Sequence, residues 1–158
     1  MGNVNITGLG TPVFGTADTY LSGTGRTLVS STQENLASGI KYLDIDFADE
    51  PLLTTSDYQV CVIPPRYCIE RVDLMVLTKE TLGATTAKVG YAAGGSTWQN
   101  GVAIGSGGTV GVPLIGSDAP YYNASATADG YIFLSCFTTH CTTGKLRLII
   151  RYSYAGNV

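Results

Sequence analysis

The sequence predicts an all-β protein: a single β-sandwich domain, jelly-roll-like, behind an extended N-terminal arm. Three observations point there. Short segments of alternating apolar and polar residues recur along the chain from Lys41 onward, separated by turn-forming residues. The 158 residues include 20 glycines, 20 threonines and ten tyrosines, a composition that favours strands and turns over helices. Charged residues make up only 13% of the chain, about half of the ~25% usual for soluble domains, while 44% are hydrophobic. The chain can therefore fill a core, and much of its surface is neutral.

The elements follow in order. Residues 1–40 are rich in Gly, Thr and Ser, with only Asp18, Arg26 and Glu34 charged and no clear apolar period. Ser31-x-x-Glu34 has capping-box spacing, and Gly39 could end a short helix there. The rest reads as an arm that needs a neighbour to cover it. The sandwich domain is expected over 41–158. In "KYLDIDF", Leu43, Ile45 and Phe47 point one way, and Tyr42, Asp44 and Asp46 the other. "DYQVCVI" (57–63) is a second strand and "CIERVDLMVLT" (68–78) a third, with Val72, Leu74 and Val76 on one face. "TAKVGYAA" (86–93) follows a turn at Gly83. Short strands are expected near 101–104, 109–114 and 120–123, then "GYIFLSCF" (130–137). The clearest is "GKLRLIIRYSY", which sets Leu146, Leu148, Ile150, Tyr152 and Tyr154 on one face against Lys145, Arg147 and Arg151. That makes about eight strands, with no repeat of 20–50 residues.

Charge and motifs exclude several functions. A net charge of −3, with basic residues scattered, gives no electrostatic footprint for nucleic acid. The N-terminus "MGNVNITGLG" lacks the basic and apolar regions of a signal peptide, and the longest uncharged stretch, 89–117, is too rich in glycine and polar residues to span a membrane. A soluble chain that contacts neither nucleic acid nor membrane is expected. "GSGGTVG" (105–111) precedes no helix that could present its N-terminus to a phosphate, so it reads as a flexible loop. No G-x-S-x-G, P-loop or H-E-x-x-H appears. His140 is the sole histidine. No catalytic residue, metal site or cofactor is predicted.

Four cysteines remain. Cys61-x6-Cys68 and Cys136-x4-Cys141 lack the x2 spacing of zinc knuckles, which leaves disulfides or buried free thiols. A two-residue turn at Thr138-Thr139 would set Cys136 opposite Cys141, though threonine is poor at the positive φ that such a turn needs. A tight hairpin at Pro64-Pro65 is disfavoured because proline fixes φ at a negative value, so a wider corner is expected and the pairing stays open. Asp44, Asp46, Asp49 and Glu50 form an acidic cluster. It reads as a solvated strand end rather than a calcium site, since no ligand series accompanies it. Trp98, in the polar loop "GGSTWQNG", is expected to be partly exposed. With Tyr121 and Tyr122 it could form a patch for a protein partner or a glycan. The sequons at Asn5 and Asn123 carry no weight without a secretory signal.

The order "VIPPRYCIERVDLMVLT…TLGATTAKVGYAAGG", then "PYYNASATADGYIFLSCF", then "GKLRLIIRYSY", resembles small β-sandwich proteins of tailed-phage virions, the head-decoration (cement) and head-fibre proteins. The likeness covers roughly residues 57–154 and lies in small apolar and turn residues. This sequence departs from the pattern at Pro65, where glycine is common, and in its four cysteines. The resemblance implies a non-enzymatic role on the exterior of a virion. The chain would be made in a host cytoplasm and would bind the major capsid protein and copies of itself, often as a homotrimer. Host-surface glycans are a further partner if the aromatic patch is exposed. A tail or baseplate component is the alternative within the virion, and a carbohydrate-binding jelly-roll module the alternative outside it.

Overall fold

The computed structural model describes residues 38–54 and 56–155. The arm expected over 1–40, with its capping-box helix and the Asn5 sequon, lies outside them except for 38–40. Those three residues open the first strand.

Among the described residues nine strands form two antiparallel sheets packed as a sandwich: β1 Ser38–Asp46, β2 Asp57–Ile63, β3 Tyr67–Thr78, β4 Thr86–Gly90, β5 Gln99–Ala103, β6 Pro113–Leu114, β7 Tyr121–Tyr122, β8 Gly130–Phe137 and β9 Lys145–Tyr154. One sheet runs β1-β9-β3-β6, with β7 also paired to β3; the other runs β2-β8-β4-β5. No helix forms among the described residues.

The alternation read from the sequence sets the inward faces. Leu43, Ile45 and Phe47 are buried from β1 and its exit, and Leu146, Leu148, Ile150 and Tyr152 from β9. These meet Val60, Ile63, Val89, Ile132 and Leu134 of the other sheet in one core. Each such side chain contributes roughly 1.5–3 kcal/mol by leaving water. Tyr154, expected on the same face, sits at the strand's end and remains 38% exposed. β1 and β9 pair without a break from Ser38↔Ser153 to Asp46↔Lys145. That register sets Asp44 beside Arg147, with contacts at 2.7 and 2.8 Å, and Asp46 beside Lys145 at 2.7 Å. The acidic strand end is thus a row of cross-strand ion pairs, and the Lys145 ammonium hydrogen bond holds the Asp46 pKa below its usual range. Among the described residues four register shifts break strict alternation, one in β2 at Gln59/Cys61, two in β3 at Ile69/Arg71 and Val76/Thr78, and one in β4 at Ala87/Val89. The first explains why Val60 and Cys61, adjacent in sequence, are both buried.

The Pro64-Pro65 segment is a corner between sheets, because β2 and β3 belong to different ones. Tyr67 N–H donates to the Pro64 carbonyl at 3.2 Å, with Pro65 first inside the turn and Arg66 second at φ 72°. Proline followed by a positive φ is type II turn geometry, a conformation in which Arg66 replaces the usual glycine. Cys61 and Cys68 consequently end on separate sheets, and both are free thiols.

Two glycine-rich connections are packed against backbone. A Cβ on Gly116 would lie 2.1 Å from the Val72 carbonyl oxygen, and one on Gly105 only 1.9 Å from that of Gly83. The segment 105–111, expected to be a flexible loop, is tied by Gly105 N–H to Thr85 O, Gly108 N–H to Gly105 O, and Gly111 N–H to Val76 O. The glycines there serve close approach of main chain to main chain.

Candidate functional site

One end of the sandwich gathers the loops after β1, β3, β5 and β8, and a single carboxylate ties two of them, those after β3 and β8. Glu80 is 3% exposed. Its Oε2 accepts backbone N–H groups from Thr142 (2.6 Å), Thr143 (2.9 Å) and Gly144 (3.0 Å). Its Oε1 accepts the N–H groups of Thr81 (2.9 Å) and Leu82 (3.2 Å) and the Thr143 hydroxyl (2.9 Å). Burial opposes the charge, but the hydrogen bonds from Thr143, Gly144 and Thr142 outweigh it and draw the pKa from 4.5 down to about 2. Glu80 N–H in turn donates to the Ile104 carbonyl at 2.9 Å, which brings in the loop after β5. Leu52 and Cys141 exchange backbone hydrogen bonds, both 2.9 Å, which brings in the loop after β1.

The loop after β8 also carries the disulfide Cys136–Cys141, so one of the two expected pairs crosslinks and the other does not. Its turn is wider than two residues, with Thr138 alone at positive φ, 79°. His140 sits on this loop, exposed, its Nδ1 accepting the Thr54 N–H at 3.0 Å. Its hydrogen-bonding capacity serves loop positioning.

The opposite end is held by Asn123, buried at 5%. Its Nδ2 donates to the carbonyls of Ile63 and Ala128, both at 2.9 Å, and its Oδ1 accepts Ser125 N–H at 3.2 Å. Its backbone pairs with Tyr67 O and Arg66 N, both at 2.9 Å. Asn123 therefore fixes the Pro64-Pro65 corner, and its amide is no exposed glycan acceptor.

Trp98 overturns an expectation. It is 2% exposed, and its indole N–H donates to Ala119 O at 2.9 Å. The polar residues around it form the loop that folds over the ring, since Ser117 N–H donates to Trp98 O at 2.8 Å. Tyr91 stands in its place at the surface, edge-on to Trp98 at 6.4 Å and stacked on half-buried Tyr121 at 4.4 Å. Tyr122 is half-buried and pairs in register with Cys68.

The thiols are unreactive by environment. Burial pushes Cys61 up to about 12 against the opposing charge of Lys41, and burial followed by Glu70 raises Cys68. Both stay protonated near neutrality, and the thiol is a poor nucleophile.

Two further clamps escaped sequence reasoning. Asp73, almost fully buried on β3, meets Arg71 Nε at 2.8 Å and Arg151 Nε at 3.7 Å and accepts Gly116 N–H at 2.8 Å. Gln99 on β5 donates to Val72 O at 3.1 Å and Leu114 O at 2.9 Å, tying its sheet to the other. Glu80, Asp73 and Gln99 carry no motif. Glu80 and Gln99 lie beside a strand end and near a glycine, whereas Asp73 sits in the middle of β3 with no such signal. The buried polar side chains thus serve as ties between loops, while large apolar residues (Ile40, Tyr42, Val110, Val112 and Ile115) remain exposed on the strands and loops at the sandwich's flanks.

The fold and these ties define an all-β sandwich scaffold. No protein-family profile matches the chain, and no curated protein matches it. Among solved structures it is similar to a chain in the capsid asymmetric unit of cyanophage Pam1, with TM-score 0.55, 16% identity, and 73% of this chain and 84% of that one covered. A looser likeness, TM-score 0.41 at 14% identity over 77% of this chain and 91% of the other, is to a chain of the acid-stable capsid of Helicobacter pylori bacteriophage KHP30. At these identities the likeness is one of fold.

Proposed function

We propose that this chain is a structural protein of a tailed-phage virion that binds the exterior of the head as an oligomer and cements neighbouring shell subunits. The observation that carries the reading is the use of the buried polar groups. Glu80 and Asn123 hold loops together, Asp73 holds a loop to β3 and Gln99 holds one sheet to the other, on a fold shared with a chain of the cyanophage capsid. The sequence resemblance to head-decoration and head-fibre proteins supports the finer assignment. The strand order supports the jelly-roll reading: strands drawn alternately from both halves of the chain interleave as β1-β9-β3-β6 over β2-β8-β4-β5. Many modest contacts per particle would sum to tight attachment, with residues 1–37 reaching adjacent subunits and a threefold axis as the expected symmetry.

The carbohydrate-binding alternative loses its anchor with Trp98 inside the core. A tail or baseplate location is separated by position alone. The test is binding of the purified chain to emptied heads, together with cryo-EM of the particle. Saturable binding and density on the outer head surface are expected. Density confined to the tail, or no binding to any shell, would overturn the assignment.

A further inference from the structure

One flank of the sandwich has a composition unlike the rest. No charged residue occurs anywhere in 89–117, which supplies β5, β6 and the connections around them. β5 is the terminal strand of its sheet and β6 lies at the end of the other, so among the described residues each has a strand partner on one side only. Gln99 bonds to Leu114 O and Val72 O, which places the two edges together on the same flank. There the chain exposes Val110 (48%), Val112 (49%) and Ile115 (65%), with Pro113 between them. The opposite flank, at the β1 edge, is charged differently, carrying Asp44 and Asp46 with their partners Arg147 and Lys145.

We infer that the β5–β6 flank is the surface on which a second copy of this chain packs. The inference rests on the oligomeric reading above and names its surface. Charge matching selects the partner. The nearest charges on this edge, Arg71 and Asp118, are already paired with each other at 3.1 Å, so a charged group brought against the Val110–Ile115 ridge would lose its water without a free counter-charge, and the complement must itself be uncharged and apolar. The same flank of a second copy meets that condition without like-charge repulsion. Packing flank to flank about a closed axis covers both sheet edges and removes the exposed apolar ridge from water, where it would otherwise template aggregation. Charge depletion at the centre of the contact is the compositional mark of an interface core.

The test uses the full chain and light scattering coupled to size exclusion. The wild type should elute as an oligomer. The pair Val112→Asp with Ile115→Asp should dissociate it, as should Val112→Lys with Ile115→Lys, each keeping the wild-type circular dichroism spectrum because these side chains are already exposed. Tyr42→Asp, on the other flank, should leave the size unchanged. A monomeric wild type, as when residues 1–37 cover the flank within one chain, overturns the inference. So do charge variants that keep the oligomer, or dissociation by Tyr42→Asp alone. A chain that is found on particles yet monomeric in solution refutes the flank and spares the virion assignment. An oligomer that ignores every shell does the reverse.

Discussion

Replacing Glu80 by glutamine keeps the side chain's shape and removes its charge, which isolates what the carboxylate does. In the folded chain five backbone N–H groups point at its two oxygens. A glutamine can turn only one acceptor oxygen toward them; its NH₂ must confront either the Thr142–Gly144 group or the Thr81–Leu82 pair. The fall in pKa from 4.5 to about 2 corresponds to ~3 kcal/mol of preferential stabilisation of the charged form, at about 1.4 kcal/mol per unit. The direction with pH follows from the depressed folded value. The stabilisation is complete above the unfolded pKa of 4.5 and is lost as pH falls from there toward about 2. Urea unfolding followed through the single tryptophan, at several pH values, reads this out as the difference between wild type and variant. Other carboxylates such as Asp46 titrate in both proteins and cancel. The gap should be ~3 kcal/mol at neutral pH and close toward zero at the acid end. A gap under about 1 kcal/mol at neutral pH, or one that stays constant down to pH 2, would refute the account of Glu80 as the charged tie of the loops after β3 and β8.

Three other outcomes are expected. Reducing the Cys136–Cys141 disulfide, which spans a sequence separation of 5, should lower unfolding stability by ~2 kcal/mol from loop entropy, measured as a shifted denaturation midpoint with and without reductant. Asn123→Asp sets a carboxylate against the Ile63 and Ala128 carbonyls and should destabilise by ~3 kcal/mol, more than Asn123→Ala, in chemical denaturation. Trp98 should emit at short wavelength and resist iodide quenching, and Trp98→Ala should cost ~3–5 kcal/mol, whereas a surface tryptophan would quench freely and tolerate the change.

The strands were legible because their signal is local. Asp57–Ile63 and Gly130–Phe137 coincide with the segments marked by alternation, and β9 begins and ends within a residue of its expected span. Alternation reports which face of a strand is inward, and it did so for Leu43, Ile45, Leu146 and Leu148. Trp98 was misjudged for a related reason. Its neighbours in sequence are polar and glycine-rich, but burial is decided by what folds over the ring, here Ser117 and Ala119 from twenty residues away. The free pair Cys61 and Cys68 depended on knowing that Pro64-Pro65 passes between sheets, a question of topology. Glu80 and Asp73 were invisible for the same cause, since a carboxylate among N–H groups is defined by loops that meet only after the sheets have formed.

These ties bear on how the molecule can act. A loop that closes over a ligand needs backbone groups free to exchange partners. At the Glu80 end the loops spend theirs on one carboxylate and on each other, and at the Asn123 end on one amide. Binding must then be delivered by surfaces set in advance, with little ordering entropy left to lose on contact. A sandwich with fixed ends, few charges and an apolar flank suits repeated, identical contacts, because each copy presents the same face without adjustment. Removing the Glu80 carboxylate should therefore weaken assembly as well as folding, because the Thr81–Leu82 segment it holds is joined to the loop at 104–112, beside the β6 flank, through the main-chain bond from Glu80 N–H to the Ile104 carbonyl.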